Sequence, residues 1–227
     1  MSMPAEPLPV THLIVFDLDG TLVDTAPDLI GALNHAMAAE SLSPVPVSAA
    51  HHLVGAGVRA LIERGLAHHK HSVSLDRFEQ LMAIFIDYYT ENIAQFSRPY
   101  PGVIDALLDL QSQGWRFAIC TNKPERLAEK LVRDLKMRHW FEYLAGGDSF
   151  DFKKPDPRHL TETIAKSGFK DAVMVGDSRT DVDTARAAGV PVVGVTFGYT
   201  DIPMRDLKPD VLIERFDQLA GALHGLT

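Results

Sequence analysis

Apolar residues in this chain gather in short blocks that end on polar loops. Leu13–Phe16 runs into "DLDGT", Arg116–Cys120 into "TNK", and the block 172–175 into "GDSRTD". Val192–Val195 and Val211–Ile213 have a similar make-up. Blocks of this length, rich in Val and Ile and without polar alternation, predict strands buried on both faces. Helical spacing lies between them. "GVIDALLDLQSQG" puts Val103, Leu107 and Leu110 on one face and offers Gly114 as a C-terminal cap. "PERLAEKLVRDL" opens with a proline suited to a first helical turn and repeats Leu127, Leu131 and Leu135. "DVDTARAAGV" reads as a short helix ending at Gly189. This succession predicts an α/β fold built on an open parallel sheet. In such sheets ligands bind beyond the carboxyl ends of the strands, where the three polar loops fall.

Residues 25–96 follow a different pattern. Leu29, Leu33, Ala36 and Met37 share a helical face, as do Phe78, Leu81, Met82, Phe85, Ile86, Tyr89 and Ile93. The aromatic and Met stripe is expected to be core packing. "SLSPVPVS" is a Pro-rich loop, and "RPYPG" at 98–102 reads as a return hinge. The expected organisation is an α/β core from 1–24 and 97–227, with a helical insert at 25–96 after the first strand.

Composition narrows the function classes. Hydrophobic residues make up 46% and charged residues 23% of 227, ordinary for a globular chain. A net charge of -8 disfavours nucleic acid as a default partner. No window approaches a membrane span of roughly 18 apolar residues. The opening "MSMPAEPLPV" has no basic cluster or apolar core and reads as a frayed arm, not a signal peptide. One cysteine, Cys120, precludes an internal disulfide, and the expectation is a cytoplasmic protein. Oligomeric state is not readable.

Asp17 and Asp19 carry the first chemical signal. Residues two apart in an extended chain point the same way, so both carboxylates can face one pocket. Two close carboxylates ionise together only with a cation between them; otherwise one keeps a proton. The first arrangement holds a divalent metal; the second makes a general acid beside a nucleophile.

"DLDGT" from Asp17 to Thr21 resembles the first motif of the haloacid dehalogenase superfamily of phosphohydrolases. Thr121 after its apolar run matches the second motif, Lys154 in "KKPDP" the third, and Asp177 and Asp181 in "GDSRTD" the fourth. The resemblance spans roughly residues 13–195. It implies a Rossmann-like core with a helical cap of the C1 type over the site. It implies that Asp17 is the nucleophile and that Asp19 is the acid and then the base. Thr121, the Asn122 backbone and Lys154 would bind phosphate. Mg²⁺ would be held by Asp17, Asp177 and the backbone carbonyl of Asp19, with Asp181 in support. Lys154 is preferred over Lys153 because it precedes Pro155.

Other residues receive quieter readings. Asp24 belongs to a helix start, with Thr25 as its cap. Asp183 is a solvated helix residue. His51, His52, His68, His69 and His71 lack metal-ligand spacing. Cys120 is a small core residue. In the insert, the Gly-rich turn at Gly55 and Gly57 permits close backbone approach. Arg59 is a candidate contact for a substrate carboxylate, with Arg64 nearby.

At closer range, "DLDGTLVDTAPDL", "PYPGV" and "TNKP" resemble the phosphoglycolate phosphatases and the related bacterial phosphatases of N-acetylmuramic acid 6-phosphate. The implied partner is a small phosphorylated metabolite, with 2-phosphoglycolate foremost. A phosphosugar mutase and a non-catalytic binding protein of the same fold are the alternatives.

Overall fold

A computed structural model describes residues 12–49, 53–54, 57–200 and 202–226. The N-terminal arm, His51, His52 and Gly55 lie outside the described residues. Six strands form one parallel sheet: β1 (Leu13–Phe16), β4 (Arg116–Cys120), β5 (Phe141–Ala145), β6 (Ala172–Gly176), β7 (Val192–Val195) and β8 (Val211–Ile213). Their order is β5-β4-β1-β6-β7-β8. The strand absent from the sequence reading is β5. "FEYLA" has no Val or Ile run, and Glu142 is exposed because the strand lies at the sheet's edge.

Burial on both faces explains why the strand blocks do not alternate. Leu13 and Val15 pack with Leu160, Ile164 and Val182 on one side. Ile14 and Phe16 pack with Phe117, Leu107 and Leu131 on the other. Helices α4 (Val103–Ser112) and α5 (Glu125–Asp134) supply Leu107 and Leu131. Helices α6 (Pro157–Lys166) and α7 (Arg179–Ala188) supply the opposite face. Each fully buried Leu, Ile or Phe is worth about 1.5–3 kcal/mol against exposure, so both layers hold the sheet. Gly114 follows α4 with a positive φ of 92°, a conformation that favours glycine. Pro124 sits at the N-cap of α5, one residue before the helix.

Between β1 and α4 the described elements are mainly helical: α1 (Ala26–Ala38), α2 (Val58–His68) and α3 (Leu75–Asn92). Leu33, Met37, Leu81 and Phe85 are fully buried, and their cluster is continuous with the Phe16 side of the sheet. The chain leaves and returns through a two-stranded ribbon. β2 (Val23–Asp24) pairs antiparallel with β3 (Arg98–Pro99), Val23 opposite Pro99 and Asp24 opposite Arg98. Asp28 in the first turn of α1 reinforces this neck by accepting from the Phe96 and Ser97 amides and the Ser97 hydroxyl.

The start of α1 corrects one expectation. Thr25 occupies the N-cap position but makes no side-chain cap bond, because its backbone is already helical at φ -100° and ψ -4°. The Ala26 amide bonds instead to Asp24 Oδ1 at 3.3 Å and to the Tyr199 hydroxyl at 2.9 Å.

Candidate active site at the carboxyl edge of the sheet

Strand register gathers the site. Phe16 lies opposite Ile119 on β4 and Val175 on β6. Asp17, Thr121 and Asp177 therefore emerge side by side, one or two residues past the paired region, at the centre of the sheet. The Asp17 amide still completes the ladder to Val175 O at 2.9 Å, and the Thr121 amide bonds to Ala145 O at 3.0 Å. Backbone held this firmly fixes where the side chains point.

A cavity of about 60 Å³ opens there, lined by Asp17, Asp19, Thr121, Asn122 and Lys154 from the sheet side. At roughly 15 Å³ per enclosed water, its size suits a few waters. The Lys154 ammonium lies 2.5 Å from Asp181 Oδ1 and 3.0 Å from Asp17 Oδ1. Burial pulls its pKa down, but Asp17 and Asp181 more than reverse this and keep it charged. Lys153 is exposed. Asn122 Nδ2 donates to Lys154 O at 2.9 Å, joining the two loops through its side chain. Thr121 Oγ1 accepts from the Lys123 amide at 3.3 Å, and no described residue accepts the hydroxyl's own proton.

Three carboxylates crowd together. Asp17, Asp177 and Asp181 offer oxygens within 4.8 Å of one another. Burial pushes the Asp17 carboxyl up to about 6, with Lys154 opposing and Asp181 assisting. Burial, then Asp17 and Asp181, raise Asp177 well above the usual carboxylate range. Asp177 accepts from the Thr21 hydroxyl at 2.9 Å and the Tyr199 amide at 2.6 Å. Asp181 is saturated: Oδ1 takes Lys154, and Oδ2 takes the Ser178 amide and hydroxyl at the start of α7. Asp17 Oδ1 is buried, with the Lys154 ammonium 3.0 Å away as its ion-pair partner. Close, desolvated, oxygen-only donors fit a hard divalent cation. Asp17 and Asp177 are better placed to hold it than the saturated Asp181.

Gly20 is required here on two counts. Its φ is +87°, and a Cβ would collide with the Asp177 carboxylate.

The insert contributes a wall of Leu29, Val54, Val58, Leu61 and Tyr89. Arg59 is not in it. Its guanidinium pairs with Glu79 at 2.6 Å and lies over the Phe78 ring, half-exposed. Arg64 turns inward to the Leu53 and Val54 carbonyls. Sequence reasoning missed Lys123. Its Nζ lies 3.0 and 3.1 Å from the two Asp19 oxygens and 2.7 Å from Tyr89 Oη. Placement one residue beyond "TN" was the available signal. Tyr89 lies in the stripe expected to pack the core, and it is buried, but its hydroxyl reaches the site. Cys120 is buried, and burial pushes its thiol up to about 12, so it is inert. His71 pairs with Glu40 at 3.1 Å on the insert surface, away from these groups.

A doubly covered parallel sheet with carboxylates and lysines converging at its switch point defines a doubly wound α/β protein with its ligand site at the carboxyl edge. The chain belongs to the haloacid dehalogenase-like hydrolase family, whose profile matches residues 14–195. It is 50% identical over 213 residues to the phosphoglycolate phosphatase of Mesorhizobium japonicum, covering 93% of this chain and 94% of that one. It is 46% identical to the Agrobacterium fabrum phosphoglycolate phosphatase, covering 95% and 93%. A solved structure of a "predicted phosphoglycolate phosphatase" from Haemophilus somnus superposes with a TM-score of 0.87 at 32% identity, covering 94% and 98%. Among the described residues, no helix is long and apolar enough to cross a membrane.

Proposed function

We propose that the protein is a Mg²⁺-dependent phosphomonoester hydrolase that cleaves 2-phosphoglycolate to glycolate and inorganic phosphate. The observation that carries this reading is the convergence of Asp17, Asp19, Thr121 and Lys154 on one small cavity under the helical insert. The names of the close relatives support the substrate.

The residues divide the work as follows. Lys154 and the Thr121 hydroxyl hold phosphoryl oxygens. An Asp17 oxygen attacks phosphorus and the bond to the ester oxygen breaks, while Asp19 gives that oxygen its proton and releases glycolate. Asp19 then takes a proton from water as the water oxygen attacks the aspartyl-phosphate. Asp17 is regenerated and phosphate leaves. Asp17, Asp177 and the Asp19 carbonyl would hold Mg²⁺, which supplies positive charge to the phosphoryl group. Asp181 holds Lys154 in place. Residues 25–96 act as a lid that excludes water from the reacting centre, and 1–24 with 97–227 form the core.

A phosphate-release screen with Mg²⁺ tests this, comparing 2-phosphoglycolate with N-acetylmuramic acid 6-phosphate, sugar phosphates and nucleotides. The highest kcat/KM is expected for 2-phosphoglycolate. A tenfold preference for another ester would overturn the substrate, and isomerised sugar phosphate without free phosphate would overturn the reaction.

A further inference from the structure

We propose that Lys123 and Tyr89 form the recognition corner for the substrate's carboxylate. This rests on the reading of the site as one that acts on 2-phosphoglycolate. A phosphate ester bearing a carboxylate needs two separate sources of positive charge once water is excluded, because a desolvated anion without a counter-charge is costly. Among the described lining residues, Lys154 and Lys123 are the cations. Lys154 is committed to Asp17 and Asp181 at the phosphoryl end. Arg59 and Arg64 of the insert are engaged elsewhere, with Glu79 and with main-chain carbonyls. Lys123, which gives one of its donors to the neutral Tyr89 hydroxyl, is therefore the described cation that can turn a donor to the organic end of the substrate.

Its surroundings already have the right form. An ammonium offers three N–H donors. Here they meet Asp19 Oδ1, Asp19 Oδ2 and Tyr89 Oη, and the two aspartate oxygens at 3.0 and 3.1 Å show that a carboxylate fits against this nitrogen. Tyr89 adds a second donor. Its oxygen accepts from Lys123, and no described residue accepts its own O–H proton, although the ring is buried. Buried hydroxyls normally find a partner. A substrate carboxylate entering this corner takes the Lys123 donor that Tyr89 now holds, and the phenol turns to donate to the same carboxylate. Tyr89 belongs to α3 of the insert, and Lys123 follows β4 of the sheet. A carboxylate bound between them bridges the insert and the core in place of the direct Lys123–Tyr89 bond.

The test compares 2-phosphoglycolate with ethyl phosphate, the same ester with a methyl group in place of the carboxylate, for wild type and Lys123→Met. The wild type is expected to prefer the acid. In K123M the ratio of the two kcat/KM values should fall by roughly 10²-fold, the usual loss of a hydrogen-bonded charge, mainly through the KM for the acid. Tyr89→Phe should lower the ratio in the same direction by a smaller factor, and Lys123→Arg should retain most of it. Equal loss on both substrates, expressed in kcat, would overturn the proposal and leave Lys123 as a positioning residue for Asp19. If K123M does not fold, Lys123→Gln keeps a donor without the charge and is read by the same ratio. A wild-type enzyme indifferent to the carboxylate would overturn the substrate reading itself. A strong wild-type preference kept intact in the uncharged variant would overturn this inference alone.

Discussion

Lys154 Nζ rests 2.5 Å from Asp181 Oδ1, and neither side chain has meaningful contact with solvent. Asp181 makes this pair from the first turn of α7 while its other oxygen holds the Ser178 amide and hydroxyl. One carboxylate thus fixes both a helix start and the cation of the site.

Asp181→Ala should therefore damage stability and catalysis together. Removing one partner of a buried ion pair costs up to about 3–5 kcal/mol, and Asp17 still facing the ammonium places this loss towards the lower end. Urea denaturation should register that loss, and kcat should fall at least tenfold as Lys154 loses its fixed position. Asp181→Asn keeps an acceptor for Ser178 and should lie between. An alanine variant of unchanged stability would refute the assignment.

Asp17→Asn should separate chemistry from folding. Burial pushes the folded carboxyl up to about 6 from an ordinary 3.8. The native state therefore binds more protons than the unfolded chain across that window, and stability falls as pH rises through it. In chelator at pH 8 the full penalty is present, and a neutral asparagine should relieve up to about 3 kcal/mol. Some of that gain is offset because Lys154 loses one of its two carboxylates. Free Mg²⁺ at a hundred times its Kd should stabilise the wild type by about 2.7 kcal/mol and the variant far less. Turnover should vanish. Thermal melts with and without metal, together with phosphate release, check all three outcomes. A large loss of stability in D17N without metal would contradict the account of a strained carboxylate.

His159 predicts a pH effect of opposite sign. Its Nδ1 accepts from the Lys154 amide at 3.1 Å, while Nε2 bonds to Gly146 O at 3.0 Å. Only a neutral ring with its proton on Nε2 satisfies both partners. Burial, then Lys154, lowers its pKa from 6.5 to about 4. The unfolded chain binds the extra proton between these values, so stability is intact above 6.5 and drains away as pH falls towards 4. The full effect is on the order of 3 kcal/mol. His159→Gln keeps an acceptor and a donor but does not titrate. The wild-type minus variant difference in unfolding free energy, followed from pH 7 to pH 4, isolates this group from the aspartates. A flat difference would exclude the neutral-ring assignment.

Much of this was legible in the sequence, for local reasons. Asp17, Thr121 and Asp177 each follow an uninterrupted apolar strand, and Lys154 stands out beside Lys153 by preceding Pro155. What escaped depends on partners far along the chain. Thr21 closes the "DLDGT" motif, but its bond to Asp177, like that of the Tyr199 amide to the same carboxylate, joins residues far apart in the chain. Tyr89 obeys the helical period of a core stripe, and periodicity cannot distinguish a ring packed in the core from one whose hydroxyl meets Lys123. Arg59 had suitable chemistry and nearby glycines, but Glu79 on the neighbouring helix draws it away from the cavity.

The neck between insert and core supplies the last prediction. Asp28 accepts four bonds from two residues: the Phe96 amide at 3.0 Å to each oxygen, the Ser97 amide at 2.8 Å and the Ser97 hydroxyl at 2.6 Å. The Ser97 groups are buried, so Asp28→Ala strands them without water or partner, at about 1–3 kcal/mol for each unsatisfied group. It also removes a negative charge from the first turn of α1, where the helix N-terminus favours one. A total loss of about 2–4 kcal/mol is expected in chemical denaturation. Asp28→Asn retains a carbonyl acceptor and should lose less. The ribbon of β2 and β3 is only two residue pairs long, so it cannot hold the neck alone. Amide exchange at Phe96 and Ser97 should therefore accelerate in D28A more than exchange at Phe117 or Val175 in the sheet. Equal acceleration at all four would mean that Asp28 stabilises the whole fold without specifically tying the insert to it.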